Sequence, residues 1–77
     1  MPDVKEILSL MKNPSPADEA LITKALDFAI KVHEGQVRYS GEPYIIHPFA
    51  VAKNLAEMSA DPETIAAGLL HDIIEDH

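Results

Sequence analysis

The sequence contains no cysteine. Disulfides and thiolate metal sites are therefore excluded, which is consistent with a reducing compartment. No run approaches the roughly 18 consecutive apolar residues that a membrane-spanning helix requires. The acidic start, Pro2 to Glu6, lacks the basic n-region of a secretory signal. Basic residues are few: Lys and Arg total 6 against 13 Asp and Glu, for a formal net charge of −7. That balance argues against binding to nucleic-acid backbones, which demands clustered cations. It leaves open a small phosphate-bearing ligand, because a divalent ion and a few local basic groups reverse the potential inside one cleft. Repeats and low-complexity segments are also missing. The chain reads as a soluble, cytoplasmic protein. Its 77 residues allow one small domain, whose core is marginal unless a metal or self-association supports it.

What is present is helical. Val4 to Lys12 places Val4, Ile7, Leu8 and Met11 on one stripe, and Asn13-Pro14-Ser15-Pro16 interrupts it. Ser15 has the chemistry of an N-cap, with Pro16 at the first helical position and Asp18 three residues after the cap. The helix that follows is expected to reach about Glu34, with Leu21, Ile22, Ala25, Leu26, Ala29, Ile30 and Val32 apolar and Gly35 ending it. Gln36 to Ile46 reads as a loop holding short extended pieces, turned by Ser40-Gly41-Glu42-Pro43. His47-Pro48 opens a third helix whose expected buried face is Phe49, Val51, Ala52, Leu55, Ala56 and Met58. Asp61-Pro62 repeats the cap-plus-proline start, and Ile65, Ala66, Leu69, Leu70, Ile73 and Ile74 follow at helical spacing. Strand alternation is absent. The expected class is all-α. The last segment is apolar almost all round, as a helix at the centre of a bundle would be. Further chain or a second copy is expected to complete its cover.

The candidate chemistry sits on that segment. His71 and Asp72 are adjacent on a helix, about 100 degrees apart, yet both side chains can tilt toward one ion. Imidazole nitrogen with carboxylate oxygen suits manganese, iron or zinc better than calcium or magnesium. Glu75 and Asp76 fall one turn after His71 and Asp72, which adds two carboxylates near any activated water. The competing reading is a solvated salt-bridge pair. Against it, the dipeptide is embedded between Ile65–Leu70 and Ile73-Ile74, where polar groups need partners and a metal is one. His47, taken alone, reads equally as an N-cap-like residue before Pro48. His33 reads as a residue at the end of its helix that caps carbonyls or favours the negative end of the dipole. Lys24 and Lys31 belong to a solvated face, Lys53 is placed to draw an anion toward the site, and Tyr44 is expected to pack with its hydroxyl bonded.

The loop gives these residues a context. It contains Arg-x-Ser-Gly-Glu-Pro-Tyr-Ile-x-His-Pro from Arg38 to Pro48, and the last helix carries His-Asp-x-x-Glu-Asp from His71 to Asp76. In combination these motifs resemble the HD-domain hydrolase part of the RelA/SpoT alarmone enzymes and their small single-domain relatives. The matching stretch runs from about Ala25 to Asp76. The resemblance implies a helical bundle that removes the 3′-pyrophosphate from pppGpp and ppGpp, the nucleotides of the stringent response, using manganese. It places His47, His71 and Asp72 on three of four metal ligands. Glu75 and Asp76 fall on the acidic pair assigned to catalysis, and Arg38 falls on a basic residue beside the nucleotide. An arginine fork suits stacking on a base or a bidentate phosphate contact.

Two departures accompany it. Family members often carry a second basic residue after the arginine; this chain has Tyr39, which can stack on a base but cannot neutralise phosphate. The fourth ligand of the family, an Asp in a later helix, lies beyond His77. Residues 1–77 are accordingly expected to be a single truncated HD domain, with an N-terminal helix over 3–12 and an HD-like core over 16–77. A homodimer or higher homo-oligomer is expected to complete it. The expected function is HD-type, metal-dependent hydrolysis of a guanosine alarmone. Two alternatives stand beside it: a catalytically incomplete, self-associating module that at most binds metal or nucleotide, and an HD hydrolase of another nucleotide. Neither nucleic acid nor membrane is an expected partner.

Overall fold

Each helix begins where the local chemistry satisfies its free amides. The computed structural model describes residues 2–75 and contains α1 (Val4–Leu8), α2 (Pro16–Val32), α3 (Ile46–Glu57) and α4 (Pro62–Glu75). Ser15 and Asp18 form a reciprocal capping box at α2: the Ser15 hydroxyl accepts from the Asp18 amide, and the Asp18 carboxylate accepts from the Ser15 amide, both at 3.0 Å. Asp61 caps α4 by accepting from the Thr64 amide at 2.8 Å. The Thr64 side chain and amide hold the Asp61 carboxyl below its ordinary pKa.

The helix ends use left-handed residues. Gly35, at φ +82°, closes α2. Ser59 takes the same role after α3 at φ +61°, and the Ala60 amide reaches back to the Leu55 carbonyl at 3.0 Å. That six-to-one bond is the closure that a glycine would make with less strain.

The all-α expectation is met; an isolated bridge between Val37 and Pro43 is the β-type pairing among the described residues. Two details differ from the sequence reading. α1 stops at Leu8, not at Lys12. The Ser9 hydroxyl donates to the Glu6 carbonyl, and the Leu10 and Met11 amides turn to the carbonyls of Ile7 and Leu8, three residues back. The second is Met58, expected in the core, which is 70 % exposed. It is the C-cap of α3, where the chain turns away before Ser59.

α4 packs against both α2 and α3, and α1 covers one end of the core by contacts to α2 and α3. Ile7, Ile22, Leu26, Ile65 and Leu69 are fully buried among Ala25, Phe49, Ala52, Ala56 and Ala66. Each such aliphatic side chain contributes about 1.5–3 kcal/mol on burial. Gly68 lets α4 approach α3 closely: a Cβ there would lie 2.8 Å from Leu55 Cδ1. The central-helix reading of α4 holds for Ile65, Ala66, Gly68 and Leu69, which are buried, while Leu70 and Ile73 are only half-buried. Beside Leu70, the side chains of Leu21 and Phe28 remain open, the latter 53 % exposed.

Candidate metal centre

The close approach at Gly68 sets the first turn of α3 against the last turns of α4, and this brings the candidate ligands together. Ile45 is the cap position of α3, so His47 lies inside the first turn and is not an N-cap. Pro48 follows it in that turn, where a missing amide proton leaves no bond unmade. His47, His71 and Asp72 each offer one donor atom, and these atoms all lie within 4.8 Å of one another. His71 Nε2 is 3.0 Å from Asp72 Oδ1, and His47 Nε2 is 3.9 Å from Asp72 Oδ2. The imidazole rings are 6.1 Å apart, tilted by 59°. The side chains of His47 and His71 are 39 % and 35 % exposed, whereas that of Asp72 is 14 % exposed. The trio is therefore reachable from solvent, with its carboxylate at the back.

The donor set fits a divalent ion. His71 Nδ1 lies 2.7 Å from the Gly68 carbonyl, and a carbonyl can only accept, so Nδ1 carries the proton. Nε2 is then the ring nitrogen directed at Asp72, and the one in position to ligate. Two imidazoles and a carboxylate are ligands for manganese, iron or zinc, and the backbone bond to His71 is the outer support such ligands usually have. Among the described residues, this is the group of side chains whose donor atoms could hold a metal ion together.

The loop between α2 and α3 builds a second wall. The Arg38 amide donates to the Glu42 carbonyl at 2.9 Å, Gly41 to Arg38 at 2.8 Å and Tyr44 to Gln36 at 2.8 Å. Gly41 at φ +89° makes the tip possible. The folded loop borders an open cleft of about 700 Å³ lined by Val37, Arg38, Tyr39, Ser40, Glu42 and Tyr44. Arg38 and Tyr39, the expected nucleotide contacts, are both exposed on this cleft. Tyr44 is the shared wall: it lines the cleft, and its hydroxyl donates to Asp72 Oδ2 at 2.9 Å.

Of the remaining expectations, Glu75 is the last residue of α4. Its side chain, and Asp76 altogether, lie outside the described residues. Lys53 is engaged elsewhere, 3.7 Å from Glu6 and 4.7 Å over the Phe49 ring, which gives no support to its proposed attraction of an anion. His33 does not cap carbonyls with its side chain. It is buried beneath Tyr44, and Gln36 makes the bond to the Val32 carbonyl instead. The packing of Tyr44 with a bonded hydroxyl was legible in the sequence; its partner was not, because Asp72 lies 28 residues away. Gly68 carried a signal that could have been used: a lone glycine inside a helical pattern marks a close approach.

Residues 25–77 match the HD domain family, and the chain belongs to that family. A relative from Mycoplasma pneumoniae, named probable guanosine-3′,5′-bis(diphosphate) 3′-pyrophosphohydrolase, is 56 % identical over 62 residues, covering 80 % of this chain. The guanosine-3′,5′-bis(diphosphate) 3′-pyrophosphohydrolase of Vibrio cholerae is 73 % identical over 44 residues, covering 57 % of this chain. A GTP pyrophosphokinase from Myxococcus xanthus is 52 % identical over 64 residues, covering 83 % of it. The chain spans only 6 to 8 % of the length of these relatives.

Proposed function

We propose that residues 1–77 belong to the HD domain of a cytoplasmic, metal-dependent phosphohydrolase that acts on guanosine 3′,5′-bis(diphosphate) and releases its 3′-pyrophosphate. The observation that carries this reading is the convergence of His47, His71 and Asp72 within 4.8 Å beside a cleft with an exposed arginine. In this reading the three residues hold manganese, which when bound supplies Lewis-acid polarisation of the phosphate and acidifies a coordinated water. Asp72 and the two imidazoles would hold the ion, and Tyr44 joins them to the cleft, lining it while its hydroxyl donates to Asp72. Arg38 contacts the base or phosphates through its planar fork, and Tyr39 offers a stacking surface. Glu75 and Asp76 orient the attacking water and accept its proton, the part of the reaction for which a carboxylate next to the site is needed.

The test is pyrophosphate release from ppGpp by the purified chain, with manganese and with a chelator control. Manganese-dependent release is the expected result, and Glu75→Gln should slow it by a factor of about 10². Absence of release under both conditions would remove the hydrolase reading and leave the incomplete module.

One observation favours that second reading. Leu21, Phe28 and Leu70 border an apolar strip beside α4, as a chain that completes its cover by self-association would have. A module of this kind forms a homodimer or larger assembly, and sedimentation of a monomer at micromolar concentration would count against it. Tyr39, standing where a second basic residue is common, favours testing other nucleotides in the same assay.

A further inference from the structure

The bond from Tyr44 to Asp72 has a use beyond packing. Asp72 has two oxygens with different neighbours: Oδ1 faces His71 Nε2 at 3.0 Å, and Oδ2 accepts from the Tyr44 hydroxyl at 2.9 Å. The carboxylate torsion of an aspartate is otherwise soft and nearly two-fold. A donor on Oδ2, which also lies 3.9 Å from His47 Nε2, stops the group from rotating and keeps both oxygens turned toward the two imidazoles.

Tyr44 is itself held. Its ring lies against His33 with centroids 4.7 Å apart and a tilt of 36°, and it meets His47 edge-on at 6.3 Å and 69°. His33 is only 4 % exposed. Gln36 fixes that ring: its amide nitrogen donates to the Val32 carbonyl at 3.4 Å, so the oxygen is the atom facing His33 Nδ1 at 3.0 Å, and Nδ1 bears the proton. The Tyr44 carbonyl also accepts the His47 amide at 3.0 Å in the entry to α3. One residue thus links the end of α2, the ligand at the start of α3 and the ligand near the end of α4.

We propose that Tyr44 is a positioning residue of the metal centre, seated on the His33–Gln36 pair, and that its hydroxyl holds the Asp72 carboxylate in place between the His47 and His71 imidazoles. This rests on the metal reading above. Outer hydrogen bonds to ligating groups are worth about 10–100-fold in metal affinity when removed.

The experiment is a manganese titration of the full chain, wild type against Tyr44→Phe, followed by EPR, with thermal melts in parallel. The phenylalanine retains the ring contacts to His33 and His47. The expected result is a Kd for manganese weakened about 10–100-fold with little change in melting, a split that a merely structural tyrosine would not give. Equal affinities would overturn the proposal while leaving the metal reading in place. A wild-type chain that binds no manganese would overturn both.

A second measurement needs no substitution. The chain has 2 tyrosines, so a ¹³Cζ-tyrosine label yields two signals. On titration with zinc the Tyr44 signal should shift and saturate at one equivalent while that of the fully exposed Tyr39 stays in place. An unmoved Tyr44 signal with bound zinc would contradict the assignment.

Discussion

His33 and His71 show how one residue type serves opposite ends of a site. Each uses Nδ1 to donate to a nearby oxygen, His33 to Gln36 and His71 to the Gly68 carbonyl. The difference lies in what surrounds the other nitrogen. His33 Nε2 is buried under a tyrosine ring, with no hydrogen-bond partner among the described residues. His71 Nε2 opens toward a carboxylate and a second imidazole at a solvent-reachable surface. Burial and direction, not side-chain chemistry, divide the packed histidine from the candidate ligand. The same contrast runs through the molecule: a packed floor of α2, α3 and α4, and an open rim made by the loop over residues 36–45.

The sharpest way to break the contrast is to truncate both histidines. His71→Ala should abolish stoichiometric manganese binding and leave the melt nearly unchanged, since its side chain is one-third exposed. His33→Ala should instead lower stability by about 2–4 kcal/mol through the cavity left under Tyr44, and weaken manganese binding without abolishing it, because Tyr44 loses its seat. Chemical denaturation alongside metal titration reads both, and a common phenotype would erase the distinction. Gly68→Val couples floor to rim. It should destabilise by about 1–3 kcal/mol, as overpacking does, and also weaken metal binding by forcing α4 away from α3. Loss of stability with unaltered affinity would show that the helix approach does not set the ligand spacing. The smallest effect is expected at the far end of α3. Ser59→Gly should raise stability by about 1 kcal/mol by relieving its left-handed backbone, with no change in metal affinity.

What the sequence revealed follows the range of the interactions. The Ser15–Asp18 box, the Asp61 cap and the Gly35 stop are contacts within a few residues, and their positions could be read directly. His47, His71 and Asp72 were legible as candidates through motif spacing, but their convergence depends on how closely α3 and α4 pack. The seat of Tyr44 on His33 was beyond local reasoning, because it joins the end of one helix to a loop folded back by three backbone bonds. α1 ended early for a local reason that periodicity does not register: a serine hydroxyl and two tightened turns replaced its last helical bonds. Met58 fits the apolar stripe but falls where the chain departs from the helix, so its position in the pattern overstated its burial.

The central claim is that His47, His71 and Asp72 act as one metal centre. Pulsed EPR of the chain with one equivalent of manganese tests it most directly, since the coupling of bound manganese to ¹⁴N counts imidazole ligands. The account predicts one tightly bound ion coupled to two imidazole nitrogens, with the coupling lost in His71→Ala. Manganese held only by oxygen ligands at several weak acidic sites would contradict it.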